Sequence, residues 1–256
     1  MTRMRAGSLA SLVCITLLTP GCGYLPGLSM SACGEDGVVH GDITIANGGI
    51  SLNDERLGVD NDRFHALSRC TRVEGSVLVH EDVRWAGVTH TLEDITGVLT
   101  FSGVRTQDRG AFFPELKRVG RLRVLGTSVS TPGITTSIPS PVRMLGKLEV
   151  VDTSVLIDGI RHLERVEAFG RLRTVGGELR FNSFSNICCF DALESVGSLQ
   201  ANTFPEEDLS FPALRLVAQE FTAFGGGGLG TPMLSEIGGN AAISANRRHV
   251  DLRSLM

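Results

Sequence analysis

Apolar and polar residues alternate in short stretches along this chain, and a glycine comes just before most of them. Residues 73–79, Val-Glu-Gly-Ser-Val-Leu-Val, are a clear copy. A period of two predicts a β-strand. The glycine, or the residue that replaces it, recurs at intervals of 20 to 34 residues, at positions 41, 75, 97, 120, 146, 177, 197, 219 and 239. A repeat of about 20–25 residues predicts a mainly β solenoid whose coils each add a parallel strand.

The alternation also predicts which side chains form the core and which face solvent. Those expected to point inward are Val77, Val79, Leu99, Phe101, Leu122, Val124, Leu148, Val150, Leu179 and Phe181. The residues between them would form the outer face of the sheet. From that face we predict a possible binding surface composed of Leu78, Arg121, Arg123, Leu125, Lys147, Glu149, Glu178 and Arg180.

A second motif precedes several of the strands and has the form Phe-x-x-Leu. It occupies residues 113–116, 169–172, 190–193 and 211–214. Such segments are too short for stable α-helices, so they predict short helical turns or bends at the corners of the coil. The longer intervals between repeats predict loops at residues 46–68, 126–141 and 152–168.

The first residues have the pattern of an export signal rather than of the repeat. Two arginines precede an apolar run at residues 9–18, and Gly21-Cys22 then resembles the cleavage site of bacterial lipoproteins. We therefore expect a signal peptide at 1–21, a tether at 22–32 that is lipidated on Cys22, and the solenoid domain at 33–256. This organisation implies a lipid-anchored protein of the bacterial cell envelope, on the outer membrane. Without lipidation, cleavage near Ser31-Ala32 would release a secreted protein.

Export makes disulfide bonds possible, and four cysteines remain beyond the signal and the lipid site. Cys33 precedes the first strand and Cys70 the second, so we predict that they are bonded. Cys188 and Cys189 are adjacent in sequence. They could be two buried thiols or a strained vicinal disulfide.

Residues 33–80 resemble the start of a receptor L domain, the ligand-binding solenoid of insulin- and epidermal-growth-factor-type receptors. The resemblance is carried by Cys33, by Gly-Asp-Ile-Thr-Ile at 41–45, and by the Leu-x-x-Cys-x-x-Val-x-Gly spacing at 67–75. It implies a right-handed parallel β-helix-like coil, a disulfide of the kind predicted above, and a flat sheet that carries the ligand site. The chain lacks the cysteine-rich module, kinase and transmembrane helix of those receptors, so neither signalling nor a hormone-binding residue carries over.

Composition narrows the functional classes. The 24 basic and 28 acidic residues give a formal charge of −4, which argues against nucleic-acid binding. There is no Gly-x-Ser-x-Gly motif, and we assign no catalytic residue, metal or cofactor; His80-Glu81-Asp82 is a weak metal candidate. We therefore expect a non-enzymatic module that binds a protein or glycan. The alternatives are a carbohydrate-active β-helix enzyme, disfavoured by one Trp and one Tyr, and a purely structural envelope protein.

Overall fold

Successive coils of the chain stack in parallel in the computed structural model. The residues described are 32–46, 49–52, 55–57, 67, 69–80, 91–102, 113–125, 145–158, 169–184, 190–203, 209–225, 229–245 and 250–251. They contain the strands β1 (Val38–His40), β2 (Ile43–Ala46), β3 (Gly49–Leu52), β4 (Glu55–Leu57), β5 (Arg72–Glu74), β6 (Val77–Val79), β7 (Asp94–Ser102), β8 (Arg118–Leu125), β9 (Val150–Val151), β10 (Val155–Asp158), β11 (Thr174–Phe184), β12 (Ser195–Thr203), β13 (Leu209–Ser210), β14 (Leu216–Val217), β15 (Phe221–Gly225), β16 (Leu229–Gly230), β17 (Glu236–Ile237), β18 (Ala241–Ala245) and β19 (Val250–Asp251). None of these residues belongs to a helix long and apolar enough to cross a membrane.

Apart from the antiparallel β3 and β4, the strands form three parallel ladders. The first ladder runs through β1, β5, β7, β8, β9, β11, β12, β14 and β17. The second ladder runs through β2, β6, β7, β8, β10, β11, β12, β15 and β18. The third ladder contains β13, β16 and β19. The predicted parallel β-solenoid is therefore confirmed.

The glycines lie where the chain passes from the first ladder to the second. A Cβ on Gly75 would overlap the carbonyl oxygen of Gly41 on the coil before it, and a Cβ on Gly97 would overlap that of Gly75. The glycine therefore permits the backbones of adjacent coils to approach closely at this bend. Gly146 differs, since a Cβ there would have no heavy atom within 4 Å.

The interior is filled by the inward side chains of both ladders. On the second ladder Leu99, Leu122, Val155 and Leu179 occupy one register position on successive coils, and each is no more than 1% exposed. This stacking of like on like gives one continuous core along the solenoid axis. Of the ten side chains predicted to point inward, Val150 does not: Val151 takes that place.

Each Phe-x-x-Leu motif forms a single turn closed by one backbone hydrogen bond. The amide of Leu116 donates to the carbonyl of Phe113 at 3.1 Å, and that of Leu172 to Phe169 at 3.0 Å. Both residues of each pair are buried, so the turn directs two apolar side chains into the core. Leu145 and Leu148 form the same turn, with a bond of 2.9 Å.

Two of the predicted loops are partly regular structure. The segment 46–68 contains β3 and β4, which add two antiparallel strands beside β2. The segment 152–168 contains β10, a full member of the second ladder. Both loop predictions were wrong in those parts. The third, 126–141, lies outside the described residues.

The disulfide between Cys33 and Cys70 is present, with the two Cα atoms 5.6 Å apart. It links the segment before β1 to the corner before β5, and Cys70 is fully buried. The prediction of this pair is confirmed. Cys188 and Cys189 lie outside the described residues.

Candidate functional site

Two strands of the second ladder, β8 and β11, place three arginines on the outer face of the sheet, on either side of β10. The arginine face, as we define it, comprises Arg121, Arg123 and Leu125 on β8, Ser154, Leu156 and Asp158 on or just before β10, and Glu178, Arg180 and Asn182 on β11. Leu156 lies at the centre, because it is in register with Arg123 on one side and with Arg180 on the other. Arg123 and Arg180 are thus two strand spacings apart, roughly 10 Å.

Six of the eight residues predicted for the binding surface lie on the outer side of this ladder. They are Leu78, Arg121, Arg123, Leu125, Glu178 and Arg180. Leu78 is two strands from β8, in register with Thr100 and through it with Arg123. Whether these residues bind a partner stays a prediction.

The placement of Lys147 and Glu149 on this face was wrong. Lys147 belongs to the corner turn, where its Nζ pairs with the Glu115 carboxylate at 2.6 Å. Glu149 follows that turn, and its amide donates to the Lys117 carbonyl at 2.9 Å. The error came from reading Gly146 as a bend glycine, which shifted the whole coil by several residues.

Because of the same error, the sequence analysis did not place Ser154, Leu156 and Asp158 on the outer face. The actual bend of that coil contains Asp152 and Thr153 instead of glycine. A usable signal was present nevertheless. In other coils the last Leu of the corner motif is followed three residues later by a core residue, and Leu148 predicts Val151 by that rule.

The arginines of this face differ from nearby cations in what they contact. Lys117 pairs with Glu93 at 2.8 Å and Arg118 with Asp152 at 2.9 Å. Arg121 and Arg123 make no ion pair or side-chain hydrogen bond to any residue that the structure describes, and both are exposed. Arg180 is half-buried, and its Nε donates to Asn182 Oδ1 at 3.3 Å.

Six residues of alternating charge stack on successive coils at the corner that precedes the first ladder. Glu149 is one of these six residues. The members of this column are Glu93, Lys117, Glu149, Arg173, Glu194 and Arg215. After Glu93, the amide of each member donates to the carbonyl of the member before it, at 2.8 to 2.9 Å. The hydrogen bond and charge of Glu93 raise the pKa of Lys117 above its ordinary value. Asp152 raises the pKa of Arg118 in the same way.

The chemistry available on the arginine face is recognition of anions. A guanidinium presents a planar fork of donors that fits a carboxylate or a phosphate, and exposed ones need not break an existing ion pair to do so. Within the described part of the chain, no three or more His, Cys, Asp or Glu side chains form a group that could hold a metal ion. Of the weak metal candidate, only His80 is described; Glu81 and Asp82 lie outside the described residues.

Fold and site together define a parallel β-solenoid with three arginines and two acidic residues on one sheet face. No family model, curated protein or solved structure matches this chain. The resemblance to receptor L domains therefore stays a prediction from sequence. The same holds for lipidation, because Cys22 lies outside the described residues.

Proposed function

We propose that this protein is a non-enzymatic interaction module of the bacterial cell envelope. Its arginine face binds a protein or glycan partner through acidic groups, with Leu156 as an apolar contact at the centre. The N-terminal segment holds the module at the membrane through a lipid on Cys22.

The observation that carries the proposal is the exposed pair Arg121 and Arg123. Both project from one strand of a sheet stacked on a continuous core, and neither has a partner among the described residues. Side chains held on a rigid strand lose little further backbone freedom on binding, which favours affinity. Arg180 adds a third cation across Leu156.

The neighbouring acids restrict which partners fit. Glu178 and Asp158 flank the three arginines, so the face carries both signs of charge. Such a surface favours a partner with localised acidic groups over a uniformly anionic polymer. Most of the specificity would then come from the match of these charges to the partner.

The test is recovery of partners from an envelope extract on the immobilised full chain. We expect Arg121→Glu/Arg123→Glu to lose the partners that the parent recovers. Arg69→Glu/Arg171→Glu is the matched control, since it makes the same charge change at exposed corner positions. Equal recovery by all three proteins would contradict the proposed binding face.

A glycan array probed with the same variants separates glycan from protein partners. Glycan binding that the first variant loses and the control keeps would identify the partner as a glycan. Release of shortened sugars from any arrayed glycan would overturn the non-enzymatic proposal.

A further inference from the structure

We infer that β18, at the C-terminal end of the second ladder, pairs with β18 of a second copy of this chain to form a symmetric dimer. The inference is independent of the arginine face, which lies on strands nearer the middle of the solenoid.

The sheet ends differently at its two extremes. Beyond β2 the sheet continues into antiparallel β3 and β4, and its outermost strand is the three-residue β4, with Glu55 and Arg56 in it. Short, charged edge strands of this kind resist pairing with other chains. At the opposite extreme, β18 pairs only with β15 within the described residues, and its sequence Ala-Ala-Ile-Ser-Ala has no charge and no proline. Among the described residues, β18 therefore has no charge, no proline and no further paired strand to protect its edge.

The last coil is also poorly suited to water. Residues 229–245 contain one charged side chain, Glu236. Ile237 and Ile243 occupy core positions yet are only partly buried, whereas Val217 on the coil before is 0% exposed. In the described part of the chain, the large apolar side chains that are exposed, Phe224 at 46% and Met233 at 48%, both belong to the last two coils. The exposed large apolar side chains of the described chain thus lie toward the C-terminal end of the solenoid.

The register of β18 makes it complementary to itself. The Phe221 amide donates to the carbonyl of Asn240, so in this parallel ladder the even-numbered residues of β18 bond to β15. The amides and carbonyls of residues 241, 243 and 245 therefore point to the free edge. Turned about a two-fold axis at Ile243, two such edges oppose 243 with 243 and 241 with 245, and each opposed pair exchanges two hydrogen bonds.

The same geometry extends the core. Residue 243 lies in the inward row of the second ladder, in register with Ala223. Two opposed Ile243 side chains would stand on the core side of the joined sheet and cover each other. One pairing thus satisfies the free backbone groups and buries the partly exposed isoleucine, which is why a second copy fits this edge.

The first test is the mass of the full chain in mild detergent, measured over a dilution series. We expect the parent to be dimeric at high concentration and to dissociate on dilution. Ala241→Lys places a charge on the free edge and should leave a monomer where the parent is dimeric. Gln200→Lys adds the same charge to the outer face of an interior strand, so it should dimerise like the parent. A parent that is monomeric at every concentration, or equal dimerisation of both variants, would overturn the inference.

The second test reports the register directly and does not depend on affinity. Opposed Cα atoms in a hydrogen-bonded antiparallel pair are about 5.5 Å apart, within the span of a disulfide. Oxidised Ile243→Cys should therefore give a covalent dimer, above the background of the parent, that reductant dissolves. Ala241→Cys should not, because its symmetry mate lies four positions away along the strand. Equal cross-linking at both positions would contradict this pairing, and circular dichroism of each variant would check that it folds.

Discussion

The Lys117 ammonium group lies 2.8 Å from the carboxylate of Glu93, which occupies the equivalent position on the preceding coil. The next coil places Glu149 at that position, so Lys117 stands between two acids. Shifting a coil by two residues would keep its apolar side chains in the core but would take its charge out of this column. The alternating charges therefore favour the observed register, which uniformly apolar core rows specify less well.

Reversing one charge in the column tests this role. Lys117→Glu would place three acids on successive coils, and like charges facing each other across strands are destabilising. We expect a lower unfolding temperature than for the parent, with the deficit shrinking as salt screens the repulsion. Arg171→Glu, an exposed corner change outside the column, is the control and should have little effect. An equal loss in both variants would show that the column has no special part.

The pH dependence of stability follows from the raised pKa of Lys117. Its folded pKa exceeds the ordinary 10.5, so the ion pair contributes fully below 10.5, and the contribution is lost as pH rises through the folded pKa. The protein should thus lose stability on alkaline titration, and Lys117→Gln should show a shallower loss there. Denaturant midpoints from neutral pH to above 10.5 would measure it. Identical alkaline slopes for the two proteins would contradict the prediction.

Two glycine substitutions should behave oppositely. A Cβ on Gly75 would overlap the Gly41 carbonyl, part of the backbone and unable to move alone. Gly75→Ala should cost about 1–3 kcal/mol, as overpacking does. A Cβ on Gly146 meets no atom within 4 Å, so Gly146→Ala should be neutral or stabilise by up to about 1 kcal/mol. Urea unfolding of both would measure this; a destabilised Gly146→Ala would contradict the assignment of Gly146 to an open corner.

Much of the fold was predictable because each coil of the repeat contains short local sequence patterns. Strand alternation, the bend glycines and the Phe-x-x-Leu corners each specify one side of a coil, and the structure contains all three. The register of the coil that contains Leu156 was mispredicted. Its bend has Asp152 and Thr153 in place of glycine, and Gly146, which lies in the corner, resembles a bend glycine in sequence. Local sequence alone could not show whether Gly146 lies in a bend or in a corner. The two positions differ in how closely the backbone of the adjacent coil approaches, and that is a property of the folded structure.

The exposed pair Arg121 and Arg123 was predictable as outward-facing, whereas their lack of ion pairs with other described residues was not. Pairing depends on the residues of adjacent coils, and the misplaced coil put Lys147 and Glu149 beside them instead of Ser154 and Leu156. Likewise β3 and β4 form an antiparallel excursion from the repeat, so the repeat could not predict them. Both failures concern relations between coils rather than the structure within one.

The Cys33–Cys70 disulfide should contribute substantially to the free energy of unfolding. Cys33 and Cys70 are 37 residues apart, and closing a loop of that length restricts the unfolded chain by roughly 4 kcal/mol in the chain-entropy account. Cys33→Ser should therefore lower the free energy of unfolding by about 2–4 kcal/mol. Reductant should destabilise the parent but not the variant. A parent that keeps its urea midpoint after reduction would contradict the prediction.

The core contains an aromatic cluster whose centre is Phe190. Its ring stacks on Phe169 at 5.0 Å and meets Phe181 edge-on at 5.3 Å, with Phe211 at 6.0 Å. The four rings come from three successive coils, so Phe190 joins coils that are otherwise connected by backbone ladders. Phe190→Ala should cost about 3–5 kcal/mol, through lost burial and the cavity left behind. Phe190→Leu keeps most of the volume and should cost clearly less. Equal losses for the two variants, measured by urea unfolding, would mean that the ring's contacts rather than its volume dominate.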